Sequence, residues 1–412
     1  MILTVTLNTA LDLTHHVPQL VPHTSHRVTA VTERPGGKGL NVARVLAALG
    51  HETVVTGFAG GPTGEVLRGL LAAEAAEAAE AARAAGRAGA ARTDRTAGAG
   101  GAGTGATGSA GSTGSTAGTA ATGAAEAGGA ARVTMATGAT GAISATAATS
   151  VTHATGNTGA AAGPDSPGIP PVRRLAPIDA LVPISGNTRR TLAVVDGSTG
   201  DTTQLNEPGP TVSPAEWDAF LASYDRLLGG ARAVALCGSL PPGIHVGAYA
   251  DLIRRARTAG VPVLLDTSGE PLRRGIAARP DLIKPNLDEL AQLTGSREPL
   301  TASADARRRG AHSVVASLGP DGILAATESG TWQAHPPAAI RGNPTGAGDS
   351  AVAALLAGLV EDLPWPQRLA RAVALSAATV AAPTAGEFDA ETYASLLPQV
   401  KVTEPTSAHG PV

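Results

Sequence analysis

Apolar positions along the chain fall into short β-branched runs alternating with longer stretches of helical period. Ile2 to Asn8 reads as a buried strand, and Leu40 to Leu49 as a helix stopped by Gly50. Thr53 to Phe58 is a second strand run. A helix opening near Pro62-Thr63 then carries Val66, Leu67, Leu70 and Leu71 on one side. It runs on into Glu/Ala sequence, where Glu80 and Arg83 stand at i,i+3. From about Gly86 to about Gly168 the period vanishes into Ala, Gly, Thr and Ser. A segment with so few large side chains does not repay its ordering entropy by burial, which predicts a disordered insertion. A fold tolerates one, because loop closure costs only about 0.6 kcal/mol more per doubling of length.

Order resumes near Ile178, with strand patterns over Ala180 to Ser185, Thr191 to Asp196 and Thr202 to Leu205. Ala231 to Leu236 (strand), His245 to Ala259 (helix) and Val261 to Asp266 (strand) have βαβ rhythm. A short strand over Asp281 to Lys284 precedes a helix from about Leu287 to Leu293. A further helix ends at Arg307-Arg308-Arg309, before a strand over His312 to Ser317. The turn Gly319-Pro320-Asp321-Gly322 leads into Ile323 to Thr327. Helices are expected over Gly348 to Leu359, Arg368 to Ala381 and Ala390 to Leu397. The alternation predicts an α/β sandwich with a mainly parallel sheet covered on both faces.

Composition narrows the function. The 43% hydrophobic total is inflated by alanine, since aromatics make up only 2%. A net charge of -3 gives no support to a nucleic-acid partner, which needs a concentrated basic face. The lone Cys237 excludes an intramolecular disulfide and any multi-cysteine metal site. No apolar run is long enough to span a membrane, and no leader-like segment precedes the first strand, so a cytoplasmic location is expected. Lysine is scarce: of its three occurrences, Lys38 and Lys284 both lie in motif-like segments.

The strongest of these segments is Asn343-Pro344-Thr345-Gly346-Ala347-Gly348-Asp349-Ser350, leading into the apolar helix Ala351 to Leu359. Glycines before a helix let an anion approach closely, and the first-turn N–H groups then point at it. A carboxylate there, Asp349, can take a proton from a hydroxyl while Gly346, Ala347 and Gly348 stabilise a transferring phosphoryl. The plainer reading is a capped helix with an acidic first turn. Gly36-Gly37-Lys38-Gly39 lacks the Walker A spacing, and beside it Asn41 and Asp12 suit hydroxyl binding. Asn286 and Glu289 have capping-box spacing; the alternative is that they organise water-coordinated magnesium. Ser317, Gly319 and Gly322 suit close approach of a nucleotide. Arg189 or Arg190 could clamp a substrate phosphate. Gly103 to Gly108 matches a dinucleotide fingerprint only as a by-product of low complexity, and His15-His16 lacks metal-site spacing.

Taken together, these segments resemble the ribokinase-like (PfkB) carbohydrate kinases. The branch they fit is that of 1-phosphofructokinase, tagatose-6-phosphate kinase and the minor 6-phosphofructokinase. Thr6 to Asp12, Gly36 to Ala43, Thr188-Arg189, Gly238 to Gly243, Lys284 to Glu289 and Asn343 to Ser350 carry the likeness. Thr9 stands where proline is usual and Thr191 where asparagine is familiar. The resemblance implies a three-layer α/β/α sandwich over the whole chain, with a small β-sheet lid from about 12–33 and 180–205. Lids in this family often pair into homodimers. It implies ATP near Lys284, Asn286, Ser317, Gly319, Gly322 and the 346–348 loop, with Mg2+ held indirectly through Glu289. A sugar phosphate would be bound by Asp12, Gly37, Lys38, Asn41 and Arg189, with Asp349 as general base. The implied reaction is ATP-dependent phosphorylation of a ketohexose phosphate, favouring fructose 1-phosphate to fructose 1,6-bisphosphate. Fructose 6-phosphate and tagatose 6-phosphate are the alternatives, and a catalytically weak sugar-phosphate-binding regulatory protein is the reading from another class.

Overall fold

A computed structural model describes residues 1–98, 175–338, 340, 342–382 and 384–405. The main compact unit comprises Met1–Arg92 and Pro170–Val412; of a second, Thr93–Ile169, the described part is the helical stretch 93–98. The chain opens with β1 (Ile2–Thr6), β2 (Ala10–Val17), β3 (Ala30–Gly36), α1 (Lys38–Ala48), β4 (Thr53–Gly60) and α2 (Gly61–Gly98). Then come β5 (Ile178–Asp179), β6 (Val182–Ile184), β7 (Arg189–Asp196), β8 (Thr202–Asn206), α3 (Pro214–Leu228) and β9 (Ala233–Cys237). The next segment holds α4 (Ala248–Thr258), β10 (Val263–Asp266), α5 (Gly269–Ala277), β11 (Leu282–Ile283), α6 (Leu287–Thr294) and α7 (Pro299–Arg308). It is followed by β12 (Ser313–Ser317), β13 (Ile323–Ala326), β14 (Thr331–His335), α8 (Ala347–Val360), α9 (Trp365–Val380), α10 (Ala390–Leu396) and β15 (Lys401–Thr403).

The main sheet runs β15-β14-β13-β12-β11-β10-β9-β1-β4-β5, with β6 pairing the far end of β4. It is parallel from β5 through β12 and antiparallel beyond. Strand alternation sorts the core into two layers. Leu3, Val5, Val234, Leu236, Val263 and Leu265 face α3 to α6, where Phe220 and Tyr224 gather with Phe58. Ile2, Ala233, Ala235 and Leu264 face α1, α8 and α9, whose alanines allow close packing. This is the predicted three-layer arrangement.

A second sheet, β3-β2-β7-β8, forms the lid. Its parallel β2/β7 register sets Ala10 opposite Arg189 and Asp12 opposite Thr191. The expected second arm of the lid, from about 180, needs correction: it begins at Arg189. Val182 and Ile184 are buried and continue the main sheet, with Phe58 paired to Val182 and Gly60 to Ile184. The apolar period of α2 ends near Gly86, yet its backbone stays helical to Gly98. The expected insertion from about Gly86 thus opens within this helix; residues 99–168 of it, including Gly103 to Gly108, lie outside the described residues. Among the described residues no helix is long and apolar enough to cross a membrane.

Candidate active site

The candidate residues gather where ligands bind open α/β sheets, beyond the carboxyl ends of the parallel strands. β10 ends on Asp266, β11 is followed directly by Lys284, β12 ends on Ser317, and the loop after β3 delivers Gly37 and Lys38 to the start of α1. The start of α8 reaches the same edge, because β14, antiparallel to β13 and so aligned with β12, also directs its carboxyl end there. Gly346 is its N-cap in the left-handed region at φ 87, which glycine adopts freely, and Asp349 sits in its first turn. Gly348 brings the helix against Lys284, whose Nζ would lie 3.6 Å from a Cβ added there. The Ala347 N–H donates to the Pro344 carbonyl at 3.2 Å. Gly37 has φ 120, and a Cβ there would meet Thr6 Cγ2 at 2.6 Å, so the turn into α1 requires glycine.

Four charges meet at this edge. Asp266, nearly fully buried, accepts from Lys38 Nζ at 3.2 Å through Oδ2 and pairs with Lys284 Nζ at 3.3 Å through Oδ1. Burial opposes its ionisation, but Lys284 and then Lys38 outweigh that and hold its carboxyl below the usual carboxylate range. Asp266 in turn keeps the Lys38 ammonium charged, raising its pKa against the opposing effect of burial. Asp349 is 7% exposed and accepts from Asn41 Nδ2 at 2.9 Å. Burial pushes its carboxyl up to about 6, partly countered by Lys38 and by the Asn41 bond, while the Asp266 charge adds to the rise. Cys237, directly beneath, is fully buried and its thiol is pushed up by burial, so it is a packing residue and not a nucleophile.

The lid covers a cleft lined by Asp12, Arg34, Asn41, Arg44, Thr191, Asn343 and Thr345. Burial raises the Asp12 carboxyl to about 6, and a hydrogen bond from the Thr191 side chain works in the opposite direction. Thr191 therefore supports Asp12 where asparagine is familiar. Thr9, where proline is usual, is buried and donates its hydroxyl to the Phe58 carbonyl. The two neighbouring arginines differ. Arg190 pairs with the Glu207 carboxylate at 3.0 Å, whereas Arg189 donates to the backbone carbonyls of Asn8 and Glu207 at 3.2 and 3.1 Å. Arg189 thus spends these bonds on neutral carbonyl groups and Arg190 on a carboxylate.

On the other side of Lys284, Asn286 caps α6 in a complete capping box. Its Oδ1 accepts from the Glu289 N–H at 2.8 Å, and Glu289 Oε2 accepts from the Asn286 N–H at 2.9 Å. Asn286 also bridges in parallel to Ser317. Gly319 has φ 62 and open space around it, as close ligand approach requires; a Cβ on Gly322 would instead meet the Ala334 carbonyl oxygen at 2.0 Å, so that glycine serves the packing of β14. Sequence reasoning missed Asp266, the centre of the lysine pair, and Arg44, which backs Asn41. Asp266 did leave a signal: an acidic residue closing an apolar parallel strand.

The pfkB family carbohydrate kinase model matches residues 4–90 and 178–392. A curated 1-phosphofructokinase from Rhodobacter capsulatus is 41% identical over 208 residues, 48% of this chain and 66% of that protein, so the chain aligns with just under two thirds of its length. Among solved structures, a possible 1-phosphofructokinase from Thermotoga maritima superposes with a TM-score of 0.68 at 20% identity, covering 98% of this chain and 100% of that one. Phosphofructokinase-2 from Escherichia coli superposes with a TM-score of 0.67 at 23% identity, covering 97% and 98%.

Proposed function

The chain belongs to the pfkB family of carbohydrate kinases and has the ribokinase-like α/β/α sandwich with its lid, and from that premise we propose that it transfers the γ-phosphoryl group of ATP to a hydroxyl of a ketohexose phosphate. Fructose 1-phosphate, yielding fructose 1,6-bisphosphate, is the favoured acceptor, in line with the 41% identical relative. The observation that carries the reading is Asp349: a buried carboxylate, oriented by Asn41, in the first turn of a glycine-led helix.

As the acceptor oxygen forms its bond to the γ-phosphorus, the hydroxyl proton passes to the Asp349 carboxylate and the bond to ADP breaks. A carboxyl lifted to about 6 is a stronger base than an ordinary one, yet remains ionised at neutral pH. Lys38, Lys284 and the amides at the start of α8 meet the charge on the transferring group. Asp12 and Asn41 hold sugar hydroxyls, and Arg189 engages the phosphate already on the sugar. Among the described residues no group of three or more His, Cys, Asp or Glu side chains forms a metal cage. Mg2+ does not require one, since it keeps most of its waters and takes its remaining ligands from phosphates. Glu289, in the first turn of α6 just after Lys284 and Asn286, is the carboxylate that would hold it from outside through water. The ion would supply charge neutralisation of the nucleotide phosphates.

Homodimerisation through the lid belongs to the same reading. Val31 and Leu205 are exposed on the lid sheet, next in sequence to the cleft-lining Thr32 and Gln204, and so project from its opposite face. The deciding experiment is steady-state kinetics with ATP-magnesium and fructose 1-phosphate, fructose 6-phosphate and tagatose 6-phosphate side by side. The expected result is a kcat/KM for fructose 1-phosphate at least roughly tenfold above the others. A higher value for either 6-phosphate would reassign the acceptor, and no turnover of any would remove the kinase reading.

A further inference from the structure

Arg44 lies one helical turn after Asn41 on α1, with its side chain only 8% exposed, and four of its five guanidinium N–H groups donate hydrogen bonds. Nε donates to Glu74 Oε1 and Oε2 at 3.2 and 3.0 Å, and Nη2 donates to Glu74 Oε1 at 3.0 Å. Nη2 also donates to the Pro35 carbonyl of β3 at 2.7 Å, and Nη1 donates to Asn41 Oδ1 at 3.3 Å. The other end of the same Asn41 amide donates to Asp349 Oδ2 at 2.9 Å. Gly386 closes over the pair: a Cβ there would lie 3.0 Å from Asn41 Oδ1 and 3.3 Å from Arg44 Cδ.

An amide has one donor end and one acceptor end. With a guanidinium donating to its oxygen, the Asn41 NH2 group must point the other way, at the base. The flipped amide would set its NH2 against the guanidinium and its oxygen against the carboxylate, two repulsive contacts in a buried site. We propose that Arg44 is a positioning residue for phosphoryl transfer: anchored by Glu74 on α2, it fixes the Asn41 amide so that Asn41 holds the Asp349 carboxylate in its reactive orientation. The inference rests on the reading of Asp349 as the base.

The test is a double-mutant cycle on turnover with fructose 1-phosphate, using the full chain with Arg44→Met, Asn41→Ala, both together, and Asp349→Asn. Acting through Asn41, Arg44→Met should lower kcat roughly tenfold, with KM for the sugar phosphate changed less than about threefold. The double variant should then be no slower than Asn41→Ala alone. The acid limb of kcat should move to higher pH in Arg44→Met, because Asp349 loses a hydrogen bond that favours its charged form. Multiplicative losses in the double variant, or an effect confined to KM, overturn the proposal and make Arg44 an independent structural or substrate-contacting group. Arg44→Lys, which retains the charge without the fork, serves the same cycle if Arg44→Met does not fold; it should lose kcat in the same non-additive way. Near-normal turnover in Asp349→Asn is a separate failure, that of the base assignment itself.

Discussion

Burying Asp349 lifts its carboxyl to about 6, so the fold favours the protonated form while the proposed general-base role needs the ionised one. Two consequences follow at the scale of the residue. Activity should fall as pH drops through about 6, with kcat tracking the ionised fraction of one group, measurable as a single acid limb. The stability effect runs the other way. The contribution of the protonated carboxyl is full below about pH 4 and is lost as pH rises through about 6, so at pH 7 the ionised side chain costs up to about 3 kcal/mol. Asp349→Asn should therefore abolish at least roughly 10² of turnover while raising Tm at pH 7, and the Tm difference from the parent should shrink by pH 4. A variant both active and unstabilised would contradict the assignment. Asp349, Lys38, Asn41 and Lys284 were legible as residues because each sits in a motif whose spacing has a chemical meaning. Asp266 and Arg44 were not, because their importance comes from what packs against them, and Arg44 sits in an ordinary helical period.

At the scale of the element, α6 tests whether its first turn is only a cap. Glutamine serves a capping box as well as glutamate, so Glu289→Gln should leave Tm within about a degree. If Glu289 also organises magnesium-bound water, the same variant should raise the Mg2+ concentration needed for half-maximal rate severalfold. Asn286→Ala, by contrast, removes the side chain that accepts from the Glu289 N–H and should cost about 1 kcal/mol by chemical denaturation. Unchanged magnesium dependence in Glu289→Gln would reduce the segment to its cap. Most helices and central strands were visible from period alone. Helix α3 was not among the predicted elements, although Ser213 and Glu216 form a complete capping box at its start, with Pro214 at the first helical position, and could have marked it. β14 and β15 escaped for a different reason: Thr331–His335 and Lys401–Thr403 are edge strands with half-exposed faces, so no continuous apolar run announces them.

For the molecule as a whole, the low-complexity composition of 86–168, of which all beyond residue 90 lies between the two matched family segments, supports reading it as an insertion that folding does not need. The described chain on either side comes together, since Leu175, Ala176 and Pro177 line the same cleft as Ala78 and Ala81 of α2. Deleting 86–168 should preserve a single cooperative thermal transition and leave kcat within about twofold, read by calorimetry and the fructose 1-phosphate assay. Loss of cooperativity would make the segment part of the fold. The lid also belongs to this scale. Arg34 of β3 reaches across to Glu387 at 2.7 Å and to the Thr384 hydroxyl, tying the lid to the loop after α9.

The sequence alone determined the α/β alternation, the strand-rich start, the helices after Gly346 and the candidate site residues that lie in motifs. Those properties are local, set by hydrophobic period and by motifs whose residues lie within a few positions of one another. The tertiary structure decided the rest. Asp266 becomes the partner of two lysines, Arg44 is drawn to Glu74 and Asn41, and Val182 and Ile184 join the main sheet instead of the lid. Each of these depends on groups distant in sequence meeting in a buried space, where a charge or an apolar side chain takes its role from whatever surrounds it.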